Sequence, residues 1–326
     1  MKKIIISMFL FLIPVSTIFA YSKEVVVGGD NIGIEVKTNG VLVIGLYEVN
    51  GYLNAKDSNI STGDYIVGVN GNRIYSINDF SNEISKDEDK EYLDITYLRD
   101  NNTYDTKLKL ELEDNEYKTG LYVKDTVNGI GTLTVIDPIS KRFLALGHQI
   151  QDSNSNKILN ISNGKIYKSY ITGIKKSSNG FPGEKEAVAN FNENLGRIDS
   201  NTNKGIFGYY DLSIDNSKIM SIASKDEIKT GDAYIRTVLN GDEIKEFKIK
   251  IDEVNKKDEL KGILFTIVDE ELLSITGGVI QGMSGSPIIQ DNKVIGAVTH
   301  VIVDDCKRGY GIFIENMLEE SEKDLN

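Results

Sequence analysis

The fold is decided by the stretch GGVIQGMSGSPIIQDNKVIGAVTHV, residues 277–301. Ser284 lies inside the motif GMSGSP. Glycine on either side of it lets the backbone turn sharply, so that the hydroxyl is exposed and nearby N–H groups converge on a developing oxyanion. The apolar run after the motif predicts a strand, Asp291-Asn292 predicts a turn, and the next apolar run predicts a returning strand. The stretch therefore predicts a nucleophilic serine on a loop that leads into a β-hairpin.

A loop, a strand, a short turn and a second strand are what a chymotrypsin-type serine peptidase builds around its nucleophile. The alternative is a glycine-rich hairpin with an exposed serine. A peptidase also needs a general base, and the chain has only two histidines. His148 follows an apolar alternation and Gly147, where a neutral imidazole can face a cleft. His300 lies at the end of the strand that leaves the Ser284 loop, and we expect a packing or hydrogen-bonding role for it.

Several segments of the chain carry a more specific signal than the serine motif alone. They are GGDNIGIEVKTNGVLVIG, GIGTLTVIDP, ALGHQIQD, LGRIDSNTNKGIFG and VDEELLSITGGVIQGMSGSPIIQDNKVIGAVTHV. Together they resemble the stage IV sporulation protein B (SpoIVB) family of serine peptidases, peptidase family S55, from spore-forming Firmicutes. The resemblance covers nearly the whole chain after the N-terminal segment. One departure is Gln149, where the family leads us to expect glycine.

The resemblance implies a mainly β chain in which a PDZ domain, residues 30–112, is followed by a chymotrypsin-like double β-barrel serine peptidase domain, residues 119–326. The stretch GDYIVGVNG, residues 63–71, resembles the core signature of bacterial PDZ domains. Such domains bind a peptide C-terminus as an added strand and hold its carboxylate with loop N–H groups. By resemblance this loop is Asn31-Ile32-Gly33-Ile34. The alternative is a PDZ fold used only for packing or as an internal regulator.

The predicted site follows the logic of a serine–histidine–acid triad. Ser284 attacks the scissile carbonyl, His148 takes the serine proton, and the N–H groups of Gly282 and Ser284 form the oxyanion hole. The family resemblance implies Asp269 as the acid, although at that position it could instead shape the substrate pocket or cap a short helix. Asp211 is the alternative on chain order, and Asp199 lies in the same interval.

Composition limits the partners of this 326-residue chain. Its net charge of −12 argues against nucleic acid and against tight electrostatic binding to anionic lipid. The single cysteine, Cys306, excludes an internal disulfide. We find no metal-ligand cluster and no phosphate loop, so we expect no cofactor and no metal. The polar stretch KKSSNGFPGEK, residues 175–185, predicts a surface loop that a peptidase could use near its cleft.

The N-terminus predicts export. Lys2 and Lys3 precede an apolar run that ends at Ala20, which is typical of a signal peptide or an N-terminal membrane anchor over residues 1–20.

The family resemblance implies an exported signalling endopeptidase that cleaves itself and then cuts a membrane-protein regulator of an intramembrane protease. The cut would take place in the space between the forespore and mother-cell membranes and lead to sigma-factor activation. Peptide C-termini would bind at the PDZ domain. The alternatives are a PDZ-containing envelope quality-control protease and a non-catalytic peptidase-like module that binds peptides.

Overall fold

The computed structural model of the chain describes residues 21–86, 91–153 and 155–323. The expected signal or anchor segment, residues 1–20, lies outside them. In the described part of the chain, none of the helices has the length and apolar character needed to span a membrane.

The described residues form mostly β-structure. The strands are β1 (Glu24–Val27), β2 (Asn31–Leu46), β3 (Tyr65–Val69), β4 (Asn72–Arg73), β5 (Tyr92–Arg99), β6 (Asn102–Lys109), β7 (Glu111–Glu113), β8 (Glu116–Lys118), β9 (Leu121–Ile136), β10 (Arg142–Ala145), β11 (Ile161–Lys175), β12 (Gly183–Thr202), β13 (Gly205–Tyr210), β14 (Ile219–Ser221), β15 (Gly231–Val238), β16 (Ile244–Val254), β17 (Ile263–Ile267), β18 (Ile280–Gln281), β19 (Pro287–Gln290), β20 (Lys293–Val301) and β21 (Arg308–Phe313). The helices are α1 (Asn54–Asp57), α2 (Ile77–Ser85), α3 (Glu270–Thr276) and α4 (Ile314–Lys323).

The first barrel is built from strands that are far apart in sequence. Neighbouring strands pair in the order β9, β10, β13, β12, β11 and β2, and β2 pairs again with β9, which closes the ring. Alternate residues of β2, including Ile32, Ile34 and Val36, point into a core that also contains Phe143 and Ile206. This period of two is what a strand with one buried face requires.

The second barrel is closed by β15, β16, β17, β21, β20 and β19. Its core holds three fully buried phenylalanines, Phe247, Phe265 and Phe313, on three different strands. The helix α3 lies between β17 and the Ser284 loop, and Asp269 precedes its first turn. The chain is therefore a double β-barrel, as the sequence predicts.

The PDZ unit is formed by the second half of β2 together with β3, β5, β6 and α2 around its own core. Val41, Ile66 and Phe80 are among the buried residues of this core. The helix α2 begins after Ser76, whose hydroxyl oxygen accepts a hydrogen bond from the Asp79 N–H at 3.1 Å, the usual role of serine at this position.

The expectation that Asn31-Ile32-Gly33-Ile34 forms a carboxylate-binding loop is wrong. These four residues begin β2. Ile32, Gly33 and Ile34 are paired on both sides, with β9 through Ile32↔Gly131 and with β11 through Ile32↔Lys168, and Asn31 pairs with Thr132 of β9. A strand with neighbours on both edges has no free row of N–H groups for a peptide carboxylate. The separate PDZ domain expected to begin at residue 30 thus shares its first strand with the peptidase barrel.

The PDZ unit also holds a strand of its own chain along β2. The first residues of β9 pair with the second half of β2, with Leu121 opposite Leu46. Asp125 of this segment accepts a hydrogen bond at 2.8 Å from the N–H of Ile77, the first residue of α2. This edge of β2 is therefore paired within the chain in this structure.

Candidate active site

The Ser284 loop joins β18 to β19 and is shaped by two glycines with left-handed backbone. Gly282 has φ +90° and Gly285 has φ +91°. A side chain at Gly285 would place its Cβ 2.1 Å from the Thr132 carbonyl oxygen, so only glycine fits there. Ser284 is partly exposed, whereas Ser286 is fully buried. The accessible hydroxyl of the loop is therefore that of Ser284.

Strand β9 of the first barrel holds this loop of the second. The Thr132 hydroxyl donates to the Gly282 carbonyl at 2.9 Å, and the Thr134 hydroxyl donates to the Gly285 carbonyl at 2.8 Å. The Thr132 N–H donates to the Ser284 carbonyl at 3.0 Å. Both threonines are fully buried. These bonds fix the backbone of the loop.

The internal hydrogen bonds of the loop use N–H groups other than those of the predicted oxyanion donors. The N–H of Met283 donates to Ile280, that of Gly285 to Val298 and that of Ser286 to Met283, at 3.2, 2.8 and 2.9 Å. The two other N–H groups of the motif GMSGSP are those of Gly282 and Ser284, the predicted oxyanion donors.

His148 follows β10 at the point where the chain turns through Leu146 and Gly147, which both have positive φ. Its Nδ1 lies 2.8 Å from the Gln149 carbonyl oxygen. A carbonyl can only accept, so this contact assigns the proton to Nδ1 and leaves the lone pair on Nε2. Burial lowers the pKa of His148 below its usual value, while the bond to Gln149 acts in the opposite direction. The imidazole is neutral at neutral pH, as a general base must be.

Ser284 and His148 line the same cavity of about 590 Å³ between the barrels. In the resting geometry the Ser284 hydroxyl donates to the Thr299 carbonyl at 3.1 Å. Attack on a substrate therefore requires the hydroxyl to leave Thr299 and turn its proton toward His148. Contacts of this kind commonly tighten only when substrate binds.

His300 belongs to the site, which the sequence did not predict. It lines the cavity, and its ring centroid lies 5.6 Å from that of His148. Burial, together with the nearby His148 and Lys261, lowers the pKa of His300 to about 4. Its Nδ1 is buried and has no hydrogen-bond partner among the described residues. The signal that could have located it is its place directly after Thr299, on the strand that forms the cleft wall.

The structure does not bring an expected acid to His148. Asp269 caps α3: one carboxylate oxygen accepts from the Leu272 N–H at 2.9 Å and the other from the Lys248 N–H at 3.2 Å. This is the helix-capping alternative. Asp199 pairs with Arg142 at 2.9 Å, and Asp211 lies 3.5 Å from the Arg197 guanidinium. The place of an acid at His148 Nδ1 is taken by the Gln149 carbonyl.

Lys185 is a buried group next to the loop that sequence reasoning missed. The predicted surface loop at residues 175–185 ends in β12, where Glu184 pairs with Gln281. Lys185 is 3% exposed, and a Cβ on Gly282 would lie 3.0 Å from its Cδ. Its amine donates to the Thr237 hydroxyl at 2.8 Å. Burial lowers the pKa of Lys185 to about 7. In the described ranges no three metal-ligating side chains cluster.

Two closed β-barrels, with a serine on a glycine-rich turn and a neutral histidine in the cleft between them, define a chymotrypsin-type serine peptidase. Residues 115–318 match the family described as SpoIVB peptidase S55, and residues 31–110 match the PDZ domain family. The chain belongs to the SpoIVB peptidase S55 family. It is a serine endopeptidase that carries a PDZ domain and acts on protein or peptide substrates.

Comparison with curated proteins found no match. Among solved structures, the inactive form of the Rv3671c protease is similar at 17% identity and a TM-score of 0.33, over 60% of this chain and 83% of that one. The active form of that protease, from M. tuberculosis, gives 15% identity and a TM-score of 0.33, over 58% and 71%. The HtrA-type protease AlgW with a decapeptide gives 12% identity and a TM-score of 0.36, over 63% and 54%.

Proposed function

We propose that Ser284 is the nucleophile and His148 the general base of an exported signalling endopeptidase. The observation that carries the assignment is that both side chains face one cavity, with the His148 proton held on Nδ1 by the Gln149 carbonyl. The Nε2 lone pair is then the acceptor for the serine proton.

The reaction proceeds by acyl transfer. Ser284 Oγ bonds to the scissile carbonyl carbon while its proton moves to His148 Nε2, and the negative oxygen binds at the Gly282 and Ser284 N–H groups. The carbon–nitrogen bond then breaks, and His148 returns the proton to the leaving amine. Water then attacks the ester carbon of the acyl-enzyme and loses a proton to His148. The bond from carbon to Ser284 Oγ breaks, and His148 returns the proton to that oxygen.

Family membership supports a role in sporulation signalling. In this proposal the peptidase is exported, with residues 1–20 as signal peptide or anchor, and cleaves itself. It then cuts a membrane-protein regulator of an intramembrane protease in the space between the forespore and mother-cell membranes. The cut leads to sigma-factor activation. The apolar run after Lys2-Lys3 supports export, and the SpoIVB family match supports the signalling role.

Fluorophosphonate labelling tests the chemistry. Wild-type protein should be labelled on Ser284, and both Ser284→Ala and His148→Ala should lose labelling and turnover, with the double variant little worse because the pair acts as a unit. Ser286→Ala is the matched control and should keep activity. Loss of labelling in Ser286→Ala but not in Ser284→Ala would reverse the assignment.

Product mapping tests the signalling role. Incubation of the purified full chain, followed by N-terminal sequencing, should give one or two discrete self-cleavage products. Broad degradation of casein without discrete products would favour an envelope quality-control protease instead. A folded protein that is neither labelled nor active would leave a peptide-binding module.

A further inference from the structure

Among the described residues, none of those that line the active-site cavity has a charged side chain, although Asp, Glu, Lys and Arg make up 26% of the chain. Its 20 lining residues are apolar or uncharged polar residues and the two histidines. Both histidines have lowered pKa values and are neutral at neutral pH. A charged substrate side chain that enters this cavity therefore meets no counter-ion among the described lining residues.

One wall of the cavity lies where the residue before the scissile bond must place its side chain. The carbonyl under attack belongs to that residue, and its oxygen binds at the Gly282 and Ser284 N–H groups. The side chain is attached to the α-carbon next to this carbonyl, so it lies close to the same loop. The chain that runs into these donors is Val279-Ile280, and both residues are almost fully buried, at 3% and 2% exposure. Both residues line the cavity.

Val301, Val303 and Pro182 also line the cavity. Pro182 belongs to the segment between β11 and β12, which is fastened to the second barrel. The Gly180 N–H donates to the Val303 carbonyl at 2.8 Å, and the Ser177 N–H donates to the Thr276 carbonyl at 2.8 Å. The Val279 N–H donates to the Cys306 carbonyl at 2.7 Å. Val279 and the segments that carry Pro182 and Val303 are therefore hydrogen-bonded to their surroundings, which favours a preformed pocket over a mobile surface.

The β2, β9 and His148 segments of the first barrel add the apolar residues Ile34, Val127, Ile130, Leu146 and Ile150 to the lining, together with the uncharged Asn128, Gln149 and Gln151. A lysine or glutamate side chain before the scissile bond would therefore lose its water without gaining an ionic partner. An aliphatic side chain would gain from burial against Val279 and Val301.

We propose that this peptidase cleaves after an uncharged aliphatic residue, and that Val279, Val301 and Val303 form the pocket that selects it. The inference rests on the proposed catalytic function of Ser284. The selectivity of the pocket should be measured as kcat/KM, because discrimination between substrates is differential binding of the transition state.

A series of peptides that differ only in the residue before the scissile bond tests the proposal, with cleavage positions mapped by mass spectrometry on the full chain. Valine or leucine should exceed lysine and glutamate by about 100-fold or more in kcat/KM, since the charged side chains remain unpaired in the pocket. A wild-type preference for lysine or glutamate would overturn the proposal.

A variant pair adds a second measurement. Val303 is 46% exposed, so Val303→Asp should fold, and it should raise lysine cleavage relative to leucine by about 10-fold by supplying a counter-ion. Val188→Asp, at an exposed valine outside the cavity, is the control and should keep the wild-type profile. An unchanged profile in Val303→Asp would contradict the assignment of the pocket.

Fluorophosphonate labelling of Ser284 separates the two proposals. Labelled protein with a charged preference overturns only the pocket assignment. Absence of both labelling and cleavage in the folded wild-type protein overturns the peptidase function and the pocket with it.

Discussion

The hydroxyl of Thr132 in the first barrel donates a hydrogen bond of 2.9 Å to the carbonyl oxygen of Gly282 in the second barrel. The two residues are 150 positions apart in sequence. The peptide unit that begins the oxyanion loop is therefore held by a strand that also runs into the PDZ unit. Preorganised donors act only if their loop keeps its shape during the reaction, so this bond supports catalysis as well as stability.

Thr132→Val should lower kcat by about 10-fold or more with little change in KM, because a misplaced oxyanion donor weakens transition-state binding more than substrate binding. The unsatisfied Gly282 carbonyl should also cost about 1–3 kcal/mol of unfolding free energy. Thr38→Val is the matched control: Thr38 is equally buried and donates to the Gly40 carbonyl at 2.6 Å. Equal kcat values in the two variants would show that the Thr132 bond is only structural.

His300 should control the pH range of the reaction through its cover of the His148 ring. The pKa of His148 is lowered by burial, and the base must be neutral, so activity falls only below the pH at which ordinary histidines titrate. His300→Ala admits water to His148, which raises its pKa and shifts the acid limb of kcat/KM to higher pH. His300→Phe keeps a ring in place and should leave the limb near wild type. Equal shifts in both variants would contradict this role of the ring.

Asp269→Asn should be labelled by fluorophosphonate at close to the wild-type rate. Asparagine caps helices about as well as aspartate, so α3 should persist, and His148 Nδ1 already has the Gln149 carbonyl as its partner. Asp269→Ala should lower the unfolding free energy by about 0.5–2 kcal/mol through loss of the cap. A loss of about 10⁴-fold in a folded Asp269→Asn protein would instead identify Asp269 as the triad acid that the family resemblance implies.

Lys185→Met should raise stability and remove part of its pH dependence. Burial lowers the folded-state pKa of Lys185 from 10.5 to about 7. The unfolded chain then binds more protons between these two values, so the wild-type protein gains stability as pH rises through that window. Methionine removes this cost at neutral pH, and urea unfolding at pH 6 to 9 measures it.

Lys204→Met is the matched control for this prediction. Lys204 is also buried, but it pairs with Glu259 at 2.9 Å and should lose stability on replacement. A Lys185→Met protein that is less stable than wild type at neutral pH would show that the amine is charged and paired.

Local chemistry in the sequence was sufficient for the nucleophile loop and for some secondary structure. The GMSGSP motif sets its own backbone through Gly282 and Gly285, and the two strands expected after it are found as β19 and β20. These features depend on neighbours in sequence, which a single chain displays directly.

The residues that sequence reasoning placed wrongly or missed depend on partners far along the chain. The pattern NIGI, residues 31–34, is compatible with a loop and with the start of a strand. Pairing with β9 and β11 makes it a strand. Likewise, His300 enters the site because β20 crosses the cleft beside His148, and Lys185 is buried because β12 passes under Gly282. Such long-range contacts leave no periodic signal in the sequence.

The long strand β2 is shared between the first barrel and the PDZ unit. It completes the ring of the first barrel with its first half and the PDZ sheet with its second half, while β9 follows it along both parts. A fragment that begins at residue 119 would lack β1 and β2, and the bared edges of β9 and β11 would invite association with other chains. The PDZ unit and the peptidase barrels therefore depend on each other for folding. Heating the intact chain should unfold both in one cooperative transition.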